Sequence, residues 1–271
     1  MNSKELAYNI RVNAVKMTNL GKSSHIGSVL SLADILAVLY SDILKIDHRN
    51  PKWIDRDRFI LSKGHAGAGV YAVLACSGFF SIEILKTHYQ NGSILSGHVS
   101  HKDIPGVEFS TGSLGHGLSV ACGISYAAKL DCKKFITYVI LSEGDCDEGS
   151  NWEAMLFAGH HKLQNLTAIV DYNKVQSITT TEETLNLEPF SDKWKSFGWD
   201  VYSIDGHDHE ALLYTFKLIS TNLSGKPSCI IANTIKGKGV SFMENQILWH
   251  YRSPQGEEYV NALKELEEKY A

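Results

Sequence analysis

An acidic and amide-rich run, Leu141-Ser-Glu-Gly-Asp-Cys-Asp-Glu-Gly-Ser-Asn-Trp-Glu-Ala154, ends one apolar segment, and Asp171-Tyr-Asn-Lys-Val-Gln176 ends the next. If these segments are neighbouring parallel strands, carboxylates from one end and an amide from the other converge. Hard oxygen donors of that kind suit magnesium or calcium, which bridge protein to phosphate oxygens. The same residues also read as an acidic loop capping a helix from about Ser150, with Asn173 in a turn, and spacing alone supports both readings. Of the twelve histidines, five directly follow glycine: His65, His98, His116, His160 and His207. Imidazoles on tight turns belong on loops at strand ends, where open α/β sheets bind ligands. Gly112-Ser-Leu-Gly-His-Gly117 opens a helical stretch to about Lys129, and the free N–H groups of such a helix start can seat a phosphate. It has neither the Gly-Lys-Ser/Thr of a Walker loop nor the spacing of a dinucleotide fingerprint.

The elements that must hold these residues follow from periodicity. Leu6, Ile10, Ala14 and Met17 recur at helical spacing over residues 4–20, and residues 32–44 repeat the pattern, so the first fifty residues are expected to be helical. Short apolar segments follow at residues 58–61, 135–141, 166–170, 199–204 and 228–232, and their nearly continuous, β-branched character suits strands buried on both faces. Amphipathic stretches near 115–130, 150–163, 189–198 and 208–222 alternate with them. The expected fold is α/β, a mostly parallel sheet flanked by helices on both faces, in one domain over residues 1–271. Residues 176–188 read as a surface loop. Tyr259, Leu263, Leu266 and Tyr270 predict a closing amphipathic helix at about 256–270, with an apolar face that this domain or another chain must cover.

Composition excludes several classes. The 26 Lys and Arg against 30 Asp and Glu give a formal charge of −4, so there is no basic field for general nucleic-acid binding. Five cysteines without a Cys-x-x-Cys pair encode neither a disulfide framework nor a zinc knuckle, which indicates a reduced, cytoplasmic protein. The charged N-terminal segment and strand-sized apolar runs predict neither export nor a membrane span.

Five segments together resemble the N-terminal half of transketolase, the thiamine-diphosphate enzyme: Arg56-Asp-Arg-Phe-Ile-Leu-Ser-Lys-Gly-His65, Ser110-Thr-Gly-Ser-Leu-Gly-His-Gly117, Asp147-Glu-Gly-Ser-Asn-Trp-Glu-Ala154, Asp205-Gly-His-Asp208 and Lys236-Gly-Lys-Gly239. The similarity runs in order from about Ser3 to Tyr259. It implies the thiamine-diphosphate-binding fold, diphosphate-type domain. It also implies a metal held by the Asp of a Gly-Asp-Gly motif, by an Asn thirty residues later, and by a carbonyl two residues beyond that. Here the triplet thirty before Asn173 is Ser142-Glu143-Gly144, so the ungapped register makes Glu143, Asn173 and the Val175 carbonyl the metal ligands. Taking Gly144-Asp145 instead shortens the spacing to 28 and needs a gap. Glutamate's additional methylene moves the carboxylate by about 1.5 Å, which calcium tolerates better than octahedral magnesium, so the resemblance implies Mg2+ or Ca2+.

By the same resemblance His25, His65, His98 and His250 line the donor and cofactor pocket as catalytic residues. His65, Gly112, Ser113, Leu114, Gly144, Asn173 and His250 bind the cofactor, and His116 is structural. Transketolases take the carboxylate that activates thiamine diphosphate from a second domain. The resemblance therefore implies a split enzyme, with a C-terminal-half subunit supplying the activating Glu in an α2β2 assembly. The implied reaction moves a two-carbon ketol unit from a ketose (phosphate) to an aldose acceptor. A 2-oxo acid donor such as pyruvate and a catalytically silent scaffold or regulatory subunit are the alternatives, and the bank of hydroxyl-binding histidines favours the sugar.

Overall fold

In the computed structural model, which describes residues 1–270 and Tyr270 by its backbone alone, the apolar segments pair into a five-stranded parallel sheet. Its strands are β1 (Arg58–Leu61), β2 (Thr137–Ser142), β3 (Leu166–Tyr172), β4 (Asp200–Asp205) and β5 (Ser228–Asn233), in the order β1-β2-β3-β5-β4. Pairing of Ser142 with Asp171, and of Asp171 with Ala232, brings the carboxyl ends of β2, β3 and β5 level. The loops leaving those ends are therefore neighbours, which is the placement that the acidic and amide segments require.

Alternate residues of the central strands enter two different cores. Tyr138, Ile140, Ile169 and Ile230 pack with α1 (Ser3–Gly21), α2 (Ile26–Val38) and α3 (Gly67–Cys76), while Val139, Leu141, Val170 and Ile231 pack with α4 (Gly117–Leu130), α5 (Gly149–His160) and α7 (Phe190–Ser196). Between α5 and α7 lies the single-turn α6 (Thr181–Thr184), and α8 (His209–Thr221) joins the first core. Helices thus cover both faces, as the strand and helix alternation implies. The apolar run Ile26–Ile43 is long enough to cross a membrane, but 83% of it is buried inside this protein.

Several expectations change. β4 is half-exposed rather than buried on both faces, in contrast to the other edge strand, β1, whose four residues are all buried. Residues 176–188 are not wholly a surface loop: α6 lies within them, Thr181 and Leu187 are buried, and Val175 bridges to Thr180. Helix α3 gave no amphipathic signal, since residues 67–75 are buried on every side. The closing helix α9 (Glu257–Tyr270) buries Ala262 and Leu266 against this domain, chiefly α1, so no other chain is needed to cover those positions; the side chain of Tyr270 lies outside the described residues.

Candidate active site

At the carboxyl edge of the sheet the loops enclose a cleft of about 210 Å³. Its floor is built from strand ends. Lys63 follows β1, Glu143 follows β2, Asn173 and Val175 follow β3, and Lys236 follows β5. Its walls carry His25 at the start of α2, His65 in the turn before α3, and His98, Gly112 and Leu114 from the long connection between α3 and α4. His250 and Tyr251 close it from the segment before α9.

Backbone geometry sets the histidines. His25 takes the left-handed conformation with φ of 75°, which costs energy for a non-glycine residue, and its N–H donates to the His250 carbonyl at 2.8 Å. The His25 ring centroid lies 5.0 Å from His65, 5.7 Å from His98 and 4.9 Å from His250. Burial, then the nearby cationic groups, lowers His25 to about 4 and His250 to about 3, and holds His65 well below the usual imidazole range. These three rings are neutral at pH 7. Each offers a donor and an acceptor to hydroxyl groups without adding charge.

Charge is concentrated on the floor. Lys63 Nζ lies 2.5 Å from Asp171 Oδ2, both buried, and Ser31 and Thr234 hydroxyls also donate to Asp171. Burial alone would raise the Asp171 pKa, but Lys63 and these donors hold it below the ordinary carboxylate value. Lys236 Nζ donates to the carbonyls of Val175 at 2.8 Å and Gln176 at 2.9 Å and contacts His250 Nδ1 at 3.1 Å. Burial and the neighbouring Lys63 lower its pKa to about 8.

Glu143 differs from every other acid here. It is 2% exposed, and neither carboxylate oxygen has a hydrogen-bond partner among the described residues. Burial pushes its pKa up to about 7 and the Asp171 carboxylate adds to the shift, while its own amide N–H and the two lysines only partly offset it. Asp145 is equally buried but fully engaged: it accepts from Ser62 Oγ at 2.9 Å, the Gly115 N–H at 3.0 Å and the Ser142 N–H at 3.1 Å. It fastens β1, the glycine-rich turn and β2 together and does not line the cleft.

Other candidates fall as follows. Asn173 Oδ1 accepts from the Val175 N–H at 3.1 Å, and Gly144 leaves room at its α-carbon, where a methyl would meet nothing nearer than 3.6 Å. Ser113 is exposed and does not line the cleft, in contrast to Gly112 and Leu114, because it faces outward from the turn. His116 is exposed, with Nδ1 on the Leu114 carbonyl. Of the five Gly-His pairs, Gly159-His160 lies in the last turn of α5 rather than on a strand-end loop, and His207 bonds Asp34 instead of entering the cleft. Sequence reasoning missed Lys63 and Lys236 as site residues, although both fall within the resembling segments; a buried lysine is rare enough to signal function, but burial is not written in the sequence.

The donor set fits a divalent cation with a polyanion. Two buried oxygens of Glu143 lack partners, the Asn173 amide and Val175 carbonyl stand in the same cleft, and two lysines supply positive charge. No group of three His, Cys, Asp or Glu side chains among the described residues would hold a metal alone, so beyond Glu143, Asn173 and the Val175 carbonyl a cation would take phosphate oxygens or water as its remaining ligands.

A parallel sheet with a cation-and-polyanion cleft at its carboxyl edge defines the class as an α/β cofactor-binding domain. The family model for "Transketolase, thiamine diphosphate binding domain" matches residues 2–268. An apulose-4-phosphate transketolase subunit of Phocaeicola vulgatus is 42% identical over 96% of this chain and 92% of its own length. The 6-deoxy-6-sulfo-D-fructose transketolase subunit of Clostridium sp. is 42% identical over 96% and 95%. Among solved structures, the transketolase of Campylobacter jejuni superposes with a TM-score of 0.91 at 33% identity over 100% of this chain, and that of Leishmania mexicana with 0.91 at 30%. The chain spans 43% and 41% of those two proteins. It belongs to the transketolase family, as a transferase subunit built on the thiamine-diphosphate-binding domain.

Proposed function

We infer that this chain, as one diphosphate-type domain over residues 1–271, is the cofactor-holding subunit of a two-chain transketolase that moves a two-carbon ketol unit from a ketose phosphate to an aldose. The observation that carries this reading is the buried, unpartnered Glu143 carboxylate beneath a bank of neutral histidines. Glu143, Asn173 and the Val175 carbonyl would hold Mg2+ or Ca2+, and Lys63 and Lys236 would offset the remaining diphosphate charge. When bound, thiamine diphosphate supplies the carbanion chemistry that breaks and makes the carbon–carbon bond. The chain's own residues do the rest. His25, His65, His98 and His250 hydrogen-bond sugar hydroxyls or diphosphate oxygens, His65 and His250 standing nearest the cofactor role, and the low basicity of the buried rings keeps them neutral donors and acceptors. Gly112 and Leu114 border the cofactor, with Ser113 at the outer edge of the turn.

The relatives named as subunits support a second polypeptide; in this reading it is a transketolase C-terminal half that supplies the activating Glu, in a cytoplasmic α2β2 assembly. Exposed Leu130, Leu156 and Phe157 leave apolar surface on α4 and α5 for such a partner. An obligate interface of this kind normally buries more than about 2,000 Å². The test is reconstitution: this chain alone should show no ketol transfer, the pair should turn over with thiamine diphosphate and metal, and Glu143→Ala in the pair should abolish metal-dependent cofactor binding by calorimetry. Full turnover by the isolated chain, or undiminished binding by the variant, refutes the reading.

A further inference from the structure

His98 stands at the open mouth of the cleft on a stretch, residues 96–100, that belongs to no helix or strand. Its direction therefore depends on what fixes that backbone. Val99 is held on both sides: its N–H donates to the Gly64 carbonyl at 3.0 Å and its carbonyl accepts from the Thr111 N–H at 3.2 Å. One side chain holds both of the residues that flank Val99. Tyr71, completely buried on α3, donates its hydroxyl to the His98 carbonyl at 2.8 Å and accepts the Ser100 N–H at 2.9 Å. One phenol thus bridges positions 98 and 100, and the Ser96 hydroxyl, also on the His98 carbonyl at 2.5 Å, is the weaker anchor because Ser96 is itself exposed. On the other side the His98 ring rests against Gly112, where a methyl would come within 3.2 Å of it.

We propose that Tyr71 is a positioning residue that aims His98 into the cleft toward the donor sugar, acting through its hydroxyl and never touching substrate. Tyr71 does not line the cleft. Its hydroxyl is committed as donor and acceptor at once, and its pKa is raised by burial, so it stays neutral and keeps both bonds throughout the working pH range. Tyrosine is the residue type this needs, because a rigid ring carries a two-way polar group from the helix across the core to the loop. The proposal rests on the reading of His98 as a donor-sugar contact and adds the residue that makes this contact possible.

The experiment uses the reconstituted two-chain enzyme with whichever of fructose 6-phosphate, xylulose 5-phosphate or sedoheptulose 7-phosphate it turns over fastest. It compares Tyr71→Phe, His98→Ala and the double variant. Tyr71→Phe keeps the ring and so the packing, and unchanged affinity for thiamine diphosphate, within two-fold by calorimetry, verifies that the fold and the floor of the cleft are intact. The expected result is a five- to ten-fold rise in donor KM with a smaller change in kcat, and no further rise when Tyr71→Phe is added to His98→Ala. A KM unchanged in Tyr71→Phe but raised in His98→Ala overturns the positioning role alone. Cofactor affinity falling in step with KM, or the two effects multiplying in the double variant, also overturns it. A KM unchanged in His98→Ala overturns the reading of His98 itself, and the positioning role with it.

Discussion

Glu143→Gln in the cofactor-free chain, kept in a chelator, isolates the energetics of an unpartnered buried acid. The substitution keeps the shape and removes the charge. Glu143 titrates near 7 in the folded state against 4.5 for an ordinary glutamate, and each unit is worth about 1.4 kcal/mol. Below pH 4.5 the group is protonated in both folded and unfolded chains, so the native protein and the variant should melt alike. Between pH 4.5 and 7 the unfolded chain releases its proton first, and the native protein loses stability relative to the variant. Above pH 7 the difference levels off at about 3 kcal/mol, which for a chain of this size is roughly 5–10 °C in melting temperature. Adding thiamine diphosphate with Mg2+ or Ca2+ at pH 8 should reverse the order, because the cation neutralises the carboxylate in the native protein and has lost its ligand in the variant. Scanning calorimetry from pH 4.5 to 8.5, with and without cofactor and metal, reads both effects. Parallel melting curves across that range would refute the argument that Glu143 is a strained, waiting ligand.

Asp145→Ala should behave in the opposite way: it strands the Ser62 hydroxyl and the Gly115 and Ser142 amides and should destabilise the fold by about 3 kcal/mol in urea titrations, yet leave cofactor affinity of the folded protein within a few-fold. His25→Ala in the assembled pair should raise donor KM and leave the cofactor dissociation constant nearly unchanged, since each neutral hydrogen bond to a hydroxyl contributes about 1 kcal/mol. Lys236→Met should weaken binding of inorganic pyrophosphate to the metal-free chain at pH 7, and the difference from the native chain should shrink above pH 8, where Lys236 itself loses its proton.

The pairing of Glu143 with Asp145 shows how far a sequence reaches and where it stops. Both acids sit two residues apart after one strand, and the thirty-residue spacing to Asn173 favours Glu143, but spacing cannot say which carboxylate is satisfied. The three-dimensional answer depends on Ser62 and Gly115, which lie 83 and 30 residues away and meet Asp145 only once β1, β2 and the start of α4 have packed. The strands themselves were readable because apolar runs and β-branching are local, and α1 and α9 because their apolar faces repeat at helical spacing. Helix α3 was not, since a helix buried all round has no face to repeat. Tyr71 was hidden with it.

The floor lysines show the same limit from the energetic side. A lysine in a sequence is ordinarily a solvated charge, and nothing adjacent to Lys63 or Lys236 says otherwise. Parallel register places the ends of β1 and β5 on opposite sides of β2 and β3, so Lys63 and Lys236 reach the cleft from two directions around Glu143 and Asp171. Two cations and two carboxylates then share one buried floor, yet only Asp171 is matched to a lysine at contact distance. Lys236 spends its donors on the Val175 and Gln176 carbonyls instead. That mismatch leaves both Glu143 oxygens without a contact partner, and a buried carboxylate beside a carbonyl and an amide is a site that a proton neutralises but an added cation would complete.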